Sequence, residues 1–97
     1  MDLKTELKNG QIWFNIKKKD KTIFLNYAKN NGCKWVDGKE ISPTTDECGC
    51  HMGITPDLLL GFVGCHCWFA SKNTPRKLKF KVTKFKMGNQ KINLINL

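Results

Sequence analysis

Two short clusters of cysteine and histidine are the residues of this sequence best suited to chemistry. The first is Cys48-Gly49-Cys50-His51 and the second is Cys65-His66-Cys67. Each contains a Cys-x-Cys pair, and four thiolates can close a tetrahedral zinc site. The glycine of the first cluster would let the chain fold tightly around the ion. The sequence therefore predicts zinc as a cofactor, with ligands Cys48, Cys50, Cys65 and Cys67 and with His51 and His66 in reserve.

The alternative interpretation is that these thiols bind no metal. Free cysteine behaves as a small apolar residue and is often buried, and the second cluster continues directly into the apolar pair Trp68-Phe69. The first cluster lies in a polar stretch, where packing gives no reason for cysteine. Both interpretations therefore stay open. Cys33 stands alone and is expected in the core.

A catalytic cysteine needs a base in contact with its sulfur, and Cys65 is followed directly by His66. Residues 65–70 have the length and apolar character of a strand, in which neighbouring side chains point to opposite faces. The sequence gives no sign of a pairing with a distant histidine, and its acidic residues form no convincing catalytic pair. It also has no phosphate-binding glycine loop. We therefore expect a protein that is not an enzyme.

The chain is strongly basic for its 97 residues, with 17 Lys and Arg against 8 Asp and Glu and a net charge of +9. All eight acidic residues lie at or before Asp57, and residues 58–97 carry eight basic side chains. Such asymmetry is typical of proteins that bind nucleic acid or another anionic surface. The alternative is a solvated strand face whose lysines discourage aggregation at the sheet edge.

Lysines alternate with apolar residues from residue 78 onward, which predicts a strand with its lysines on one face. The alternation changes parity after Thr83, and a bulge there would keep the lysines together. Trp13 lies on the polar side of an earlier strand and could stack an unpaired base, unless a second layer of structure covers it. The predicted nucleic-acid-binding residues are Trp13, Lys17, Arg76, Lys77, Lys79, Lys81, Lys84 and Lys86.

Hydrophobic periodicity predicts the elements that carry these residues. Alternation over residues 11–17 predicts a strand, and the apolar spacing after Asp20 predicts a helix that packs on the sheet and ends at Gly32. We expect short strands at 33–36 and 39–41 around an Asp37-Gly38 turn, a loop at 42–56, and further strands at 58–63, 65–70, 78–87 and 91–97. The predicted fold is a single α+β domain with one main helix on a mostly antiparallel β-sheet.

Residues 24–35 read FLNYAKNNGCKW and residues 38–41 read GKEI. This stretch resembles small uncharacterised proteins encoded by bacteriophages and prophages, in which a helix ends in Gly-x-Lys-Trp and a short hairpin follows. Residues 50–54, 67–69 and 75–77 are similar to later parts of some of these proteins. The resemblance implies an α+β fold and an accessory role in a phage, and it assigns no activity.

These observations predict a non-enzymatic, phage-type accessory protein whose basic C-terminal sheet face contacts nucleic acid or a host nucleoprotein. The alternative is a protein-directed inhibitor of a bacterial host enzyme or defence system, in which the basic face meets an acidic protein surface. Five cysteines, an odd number, favour reduced thiols over disulfides. Since no segment has the apolar length of a signal peptide or a membrane span, we expect a cytoplasmic protein without a membrane partner.

Overall fold

The computed structural model describes residues 2–44, 48–71, 75–84 and 88–97. The strands are β1 (Ile12–Ile16), β2 (Lys34–Trp35), β3 (His51–Ile54), β4 (Leu59–Phe62), β5 (Arg76–Lys84) and β6 (Gln90–Asn96). The helices are α1 (Leu3–Leu7), α2 (Lys21–Asn30) and α3 (Cys65–Ala70), with a 3-10 turn at Lys18–Asp20. Within the described ranges no helix is long and apolar enough to cross a membrane.

The six strands form one mixed sheet in the order β2-β4-β3-β1-β5-β6. Strand β1 lies near the centre, antiparallel to β3 and parallel to β5. The β3–β4 and β5–β6 pairs are antiparallel, and β2 runs parallel to β4. The predicted α+β class is confirmed, and three of the five strand pairings in the described chain are antiparallel.

Helix α2 covers one face of the sheet and closes the hydrophobic core. It buries Phe24, Leu25 and Ala28, and the Phe24 ring lies 5.4 Å from that of Phe14 on β1 and 5.0 Å from that of Phe80 on β5. The leucines of α1 join the same core. Strands β1 and β5 therefore bury alternate residues on this face, as their sequence periodicity predicts.

The opposite face of the sheet is partly covered by α3. This helix buries Trp68, whose ring is stacked 6.2 Å from that of Trp13 on β1. The prediction of a strand at residues 65–70 is therefore wrong. Periodicity cannot tell whether a six-residue apolar run is a strand or a helix. Here the run forms a short helix that packs Trp68 against the sheet and leaves Phe69 77% exposed.

Two further predictions for the middle of the chain are wrong. The loop predicted at residues 42–56 contains strand β3. All four residues of β3 are buried, so no alternation of polar and apolar residues marks it as a strand. Residues 39–41 form no strand, although the Trp35 N–H donates to Lys39 O at 2.9 Å; β2 pairs with β4 along its other edge. The Asp37-Gly38 turn is present: the Gly38 N–H donates to Trp35 O at 2.8 Å, and Gly38 has a φ of +88°.

Strand β5 shows no bulge within its described residues. Its pairing with β6 runs without interruption to Lys84, which lies opposite Gln90. Because side chains alternate along a regular strand, Lys84 points to the face opposite Lys81. The parity change therefore separates Lys84 from Lys79 and Lys81. Residues 85–87, including Lys86, lie outside the described residues.

Candidate functional site

A histidine, a cysteine and an asparagine from three separate elements meet on the sheet face that α3 covers. His51 begins β3 and lies in register with Asn15 of β1. The amide nitrogen Nδ2 of Asn15 is 3.2 Å from His51 Nε2, and the sulfur of Cys65, the first residue of α3, is 3.7 Å from His51 Nδ1. Both ring nitrogens of His51 therefore have a hydrogen-bonding neighbour.

Aromatic rings hold His51 in place. The Trp68 ring is stacked on the imidazole with 4.3 Å between centroids, and the Phe69 ring meets it edge-on at 6.1 Å. Trp68 is fixed in turn by Lys77, whose ammonium lies 5.2 Å from the centre of its ring. The same ammonium donates to the backbone oxygens of Trp68, at 2.7 Å, and Ser71. Lys77 thus ties the end of α3 to β5.

The environment of His51 favours the neutral form of its imidazole. Burial lowers its pKa from the usual 6.5, and the positive charge of Lys77 lowers it further. A neutral imidazole carries one N–H and one lone pair. The site therefore contains a neutral base in contact with an exposed thiol.

This pKa shift predicts how stability changes with pH. Since the pKa of His51 is lower in the folded than in the unfolded protein, its contribution to stability is complete above pH 6.5 and is lost as the pH falls toward the folded-state pKa. We expect the melting temperature to fall between about pH 7.5 and about pH 5.5, and His51→Gln to reduce that fall. Thermal scans at both pH values test this. In the control His66→Gln, which removes an exposed imidazole, the fall should persist.

The predicted zinc ligands do not form one cluster in this structure. Cys48 is buried in the core, where burial raises its pKa to about 11, whereas Cys50, Cys65 and Cys67 are exposed. Among residues 2–44, 48–71, 75–84 and 88–97, no three His, Cys, Asp or Glu side chains are placed to share a metal ion. Zinc binding stays a prediction. Cys33 is buried, as expected, and burial raises its pKa to about 11.

Three residues of the predicted nucleic-acid surface instead make contacts to other parts of this chain. Trp13 is half-buried beneath Trp68, and its indole N–H is buried without a hydrogen-bond partner in the described chain. Arg76 pairs with Glu6 of α1 and donates from Nη2 to Asn96 Oδ1 at 3.0 Å. Lys77 holds α3. The second layer of structure over Trp13, which the sequence left open, is therefore present.

The other described lysines of β5 and β6 lie on both faces of the sheet. Lys79 and Lys81 alternate with buried Leu78 and Phe80, so they point away from the core, and Lys84 does not share their face. Lys91 of β6 joins them, because its partner Thr83 has the same parity. Lys17, exposed and extended two residues beyond Asn15, continues that face past the end of β1. The basic face defined here consists of Lys17, Lys79, Lys81 and Lys91.

Comparisons of the chain with protein-family models, with curated proteins and with solved structures find no match in any of the three.

The sequence did not indicate three members of these groups. The sequence pattern predicts His51 only as a reserve zinc ligand, and it singles out neither Asn15 nor Lys91. The alternation of Lys91 with Ile92 and Leu94 was a visible signal for the last of these. Nothing in the spacing of Asn15, His51 and Cys65 indicates that they meet.

Proposed function

We propose that this chain is a non-enzymatic binding protein that contacts nucleic acid through the basic face. The observation that carries the proposal is the register of β5 with β6, which places Lys79, Lys81 and Lys91 on one side of a two-stranded ribbon. Neither strand contains an acidic residue. The ribbon therefore presents positive charge with no carboxylate of its own to neutralise it.

The spacing of these charges suits a polymer of phosphates. Lys79 and Lys81 lie about 7 Å apart along β5, since each strand residue advances the chain by about 3.4 Å. A nucleic-acid strand presents its phosphates as a repeating row, and lysines that meet it displace condensed counterions. Lysine contacts to phosphate carry no sequence information, so we expect binding without sequence preference. The resemblance to small phage-encoded proteins supports an accessory role.

Charge reversal on this face tests the proposal. The variant Lys79→Glu/Lys81→Glu should bind single- and double-stranded DNA and RNA at least about tenfold more weakly than the native protein at low salt, because two phosphate contacts are lost. The slope of log affinity against log salt should flatten by about 1.4–1.8. Fluorescence anisotropy with labelled oligonucleotides, between low and physiological salt, measures both quantities.

A matched control separates this face from overall charge. Lys8→Glu/Lys29→Glu makes the same change in net charge at exposed positions outside the basic face, and it should leave most of the affinity and the slope unchanged. Equal losses in both variants would contradict a defined binding face. Absence of binding by the folded native protein at low salt would exclude direct nucleic-acid recognition and favour the inhibitor alternative, in which a host protein supplies the acidic surface.

A further inference from the structure

The contact between Cys65 and His51 is the strongest arrangement in the molecule that the binding proposal does not use. We propose that Cys65 is a nucleophilic thiol that reacts with anionic low-molecular-weight disulfides, with His51 as its base and Asn15 positioning His51. Its central contact, between a thiol on α3 and a histidine on β3, lies outside the basic face, and Lys79 is the one residue that enters both proposals.

The geometry has the three parts that an activated thiol requires. A sulfur and a base are in contact, at 3.7 Å between Cys65 Sγ and His51 Nδ1, and the base is oriented by a third group, at 3.2 Å between His51 Nε2 and the Asn15 amide. For His51 to accept the thiol proton, Nδ1 must hold the lone pair and Nε2 the hydrogen. Turning the Asn15 amide over places its oxygen where Nε2–H donates to it.

The surroundings of His51 favour this role. Stacking on Trp68 and the edge contact with Phe69 keep the imidazole beside the sulfur. The charged and titratable groups facing His51 in the described structure are Lys77 of β5 and Cys65 of α3.

Cys65 differs from the other four cysteines because it combines an exposed thiol with a histidine contact. Cys33 and Cys48 are buried, and burial raises the pKa of each to about 11. Cys50 and Cys67 are exposed, but within the described ranges Cys65 is the only cysteine with a hydrogen-bonding contact to a histidine. Cys67, two residues further along the same helix, therefore serves as an internal reference for an exposed thiol without a base.

The neighbouring charges select an anionic reaction partner. Lys79 lies in register with Asn15 on the same sheet face, and Lys77 lies against Trp68. Lys77 acts electrostatically on His51, and neighbouring strands are about 4.8 Å apart, so Lys79 lies one strand beyond Asn15 and two strands from His51. A disulfide that carries carboxylates would gain from this field, whereas a neutral disulfide would not.

The reaction balances without a further oxidant. The proton of Cys65 passes to His51 Nδ1, and the sulfur attacks one sulfur of the external disulfide. A new S–S bond forms between Cys65 and that sulfur while the original S–S bond breaks. The departing thiolate takes the proton back from His51. The protein thiol is oxidised to a mixed disulfide, and the external disulfide is reduced to one mixed-disulfide half and one free thiol.

The native protein provides the first test. It is treated at neutral pH with dithiobis(nitrobenzoate), an anionic disulfide, and modification of each cysteine is followed by peptide mass spectrometry. Cys65 should react about tenfold faster than Cys67, because a histidine is in contact with its sulfur and can accept the thiol proton. With neutral dipyridyl disulfide the ratio of the two rates should be smaller, and Lys79→Gln should lower the ratio for the anionic reagent alone.

Variants of the supporting residues distinguish activation from simple exposure. His51→Gln should reduce the Cys65 rate to that of Cys67. Asn15→Leu should have the same effect, whereas Asn15→Asp, whose carboxylate can only accept a hydrogen bond from Nε2–H, should keep the rate high. A structural role for Asn15 alone would not give this pattern of loss and rescue.

Two results would overturn the inference. Equal rates at Cys65 and Cys67 in the native protein would show that the histidine contact does not activate the sulfur, and this comparison needs no variant to fold. Protection of Cys65 that is relieved only by a chelator would show instead that its sulfur binds a metal ion.

Discussion

Replacing Phe24 by alanine is expected to destabilise the protein by about 3–5 kcal/mol. Phe24 is 0% exposed, and its ring contacts Phe14 and Phe80 at centroid distances of 5.4 Å and 5.0 Å. Its removal leaves a cavity where α2 meets the two strands that carry these rings, and the surrounding side chains can fill it only in part. Since small domains are stable by only about 5–15 kcal/mol, this loss is a large share of the total.

Urea unfolding measures the effect, with a second phenylalanine as the control. Phe69 is 77% exposed, so Phe69→Ala should change the free energy of unfolding by no more than about 0.5 kcal/mol. Tyr27→Ala should lower the free energy of unfolding by an intermediate amount, because Tyr27 is half-buried against Phe80. If Phe24→Ala and Phe69→Ala had the same stability, α2 could not pack on the sheet as described.

The second large effect is expected at Trp68. Trp68→Ala should cost about 3–5 kcal/mol, because Trp68 is only 6% exposed and lies against Trp13, His51 and Lys77. The same change opens His51 to water, so the pKa of His51 should return toward 6.5 and the dependence of stability on pH should weaken. Unfolding measured at two pH values gives both quantities.

Trp68→Phe is the control for this experiment. It keeps an aromatic ring over His51, and it should therefore lose less stability and preserve most of the pH dependence. Stability of Trp68→Ala close to that of the native protein would contradict the second layer of structure. A large loss with an unchanged pH dependence would contradict the assignment of the pKa shift to burial beneath Trp68.

The elements that the sequence predicted are those with one fully buried face and one more exposed face. Strands β1 and β5 alternate apolar and polar residues because a single side of each packs against α2. Helix α2 repeats its apolar residues at helical spacing for the same reason, and Gly32, with a φ of +88°, follows its end. In these segments the local pattern and the tertiary environment agree, so the pattern alone was sufficient.

The elements that the sequence missed lack such a contrast. Strand β3 is covered on both faces, and its His51 and Gly53 carry no strand signal. Gly53 is suited to its place, since a Cβ there would lie 3.0 Å from both Gln11 Nε2 and Trp13 Cδ1. Helix α3 is too short for a helical period to appear, and its apolar residues are mostly exposed. Their conformations are set by neighbours distant in sequence.

The candidate sites also depend partly on local sequence and partly on tertiary contacts. The spacing within Cys48-Gly49-Cys50-His51 suggests that the cluster acts together, but the chain turns Cys48 into the core and places His51 on the opposite side of the sheet. Cys65 then meets His51 because α3 packs across the end of β3. The residues between His51 and Cys65 contain no signal for the distance between these two side chains. That distance depends on where the six-residue helix α3 packs on the sheet.

Composition and local periodicity are sufficient for the net charge, its concentration after Asp57, the supply of core residues and the α+β class. Which basic side chains are available depends on the fold, since Arg76 and Lys77 hold other elements while Lys79, Lys81 and Lys91 share an open face. The physical reason is the pairing of strands distant along the chain. The parallel contact of β1 with β5 brings Asn15 beside Lys79, and local periodicity carries no information about such a contact.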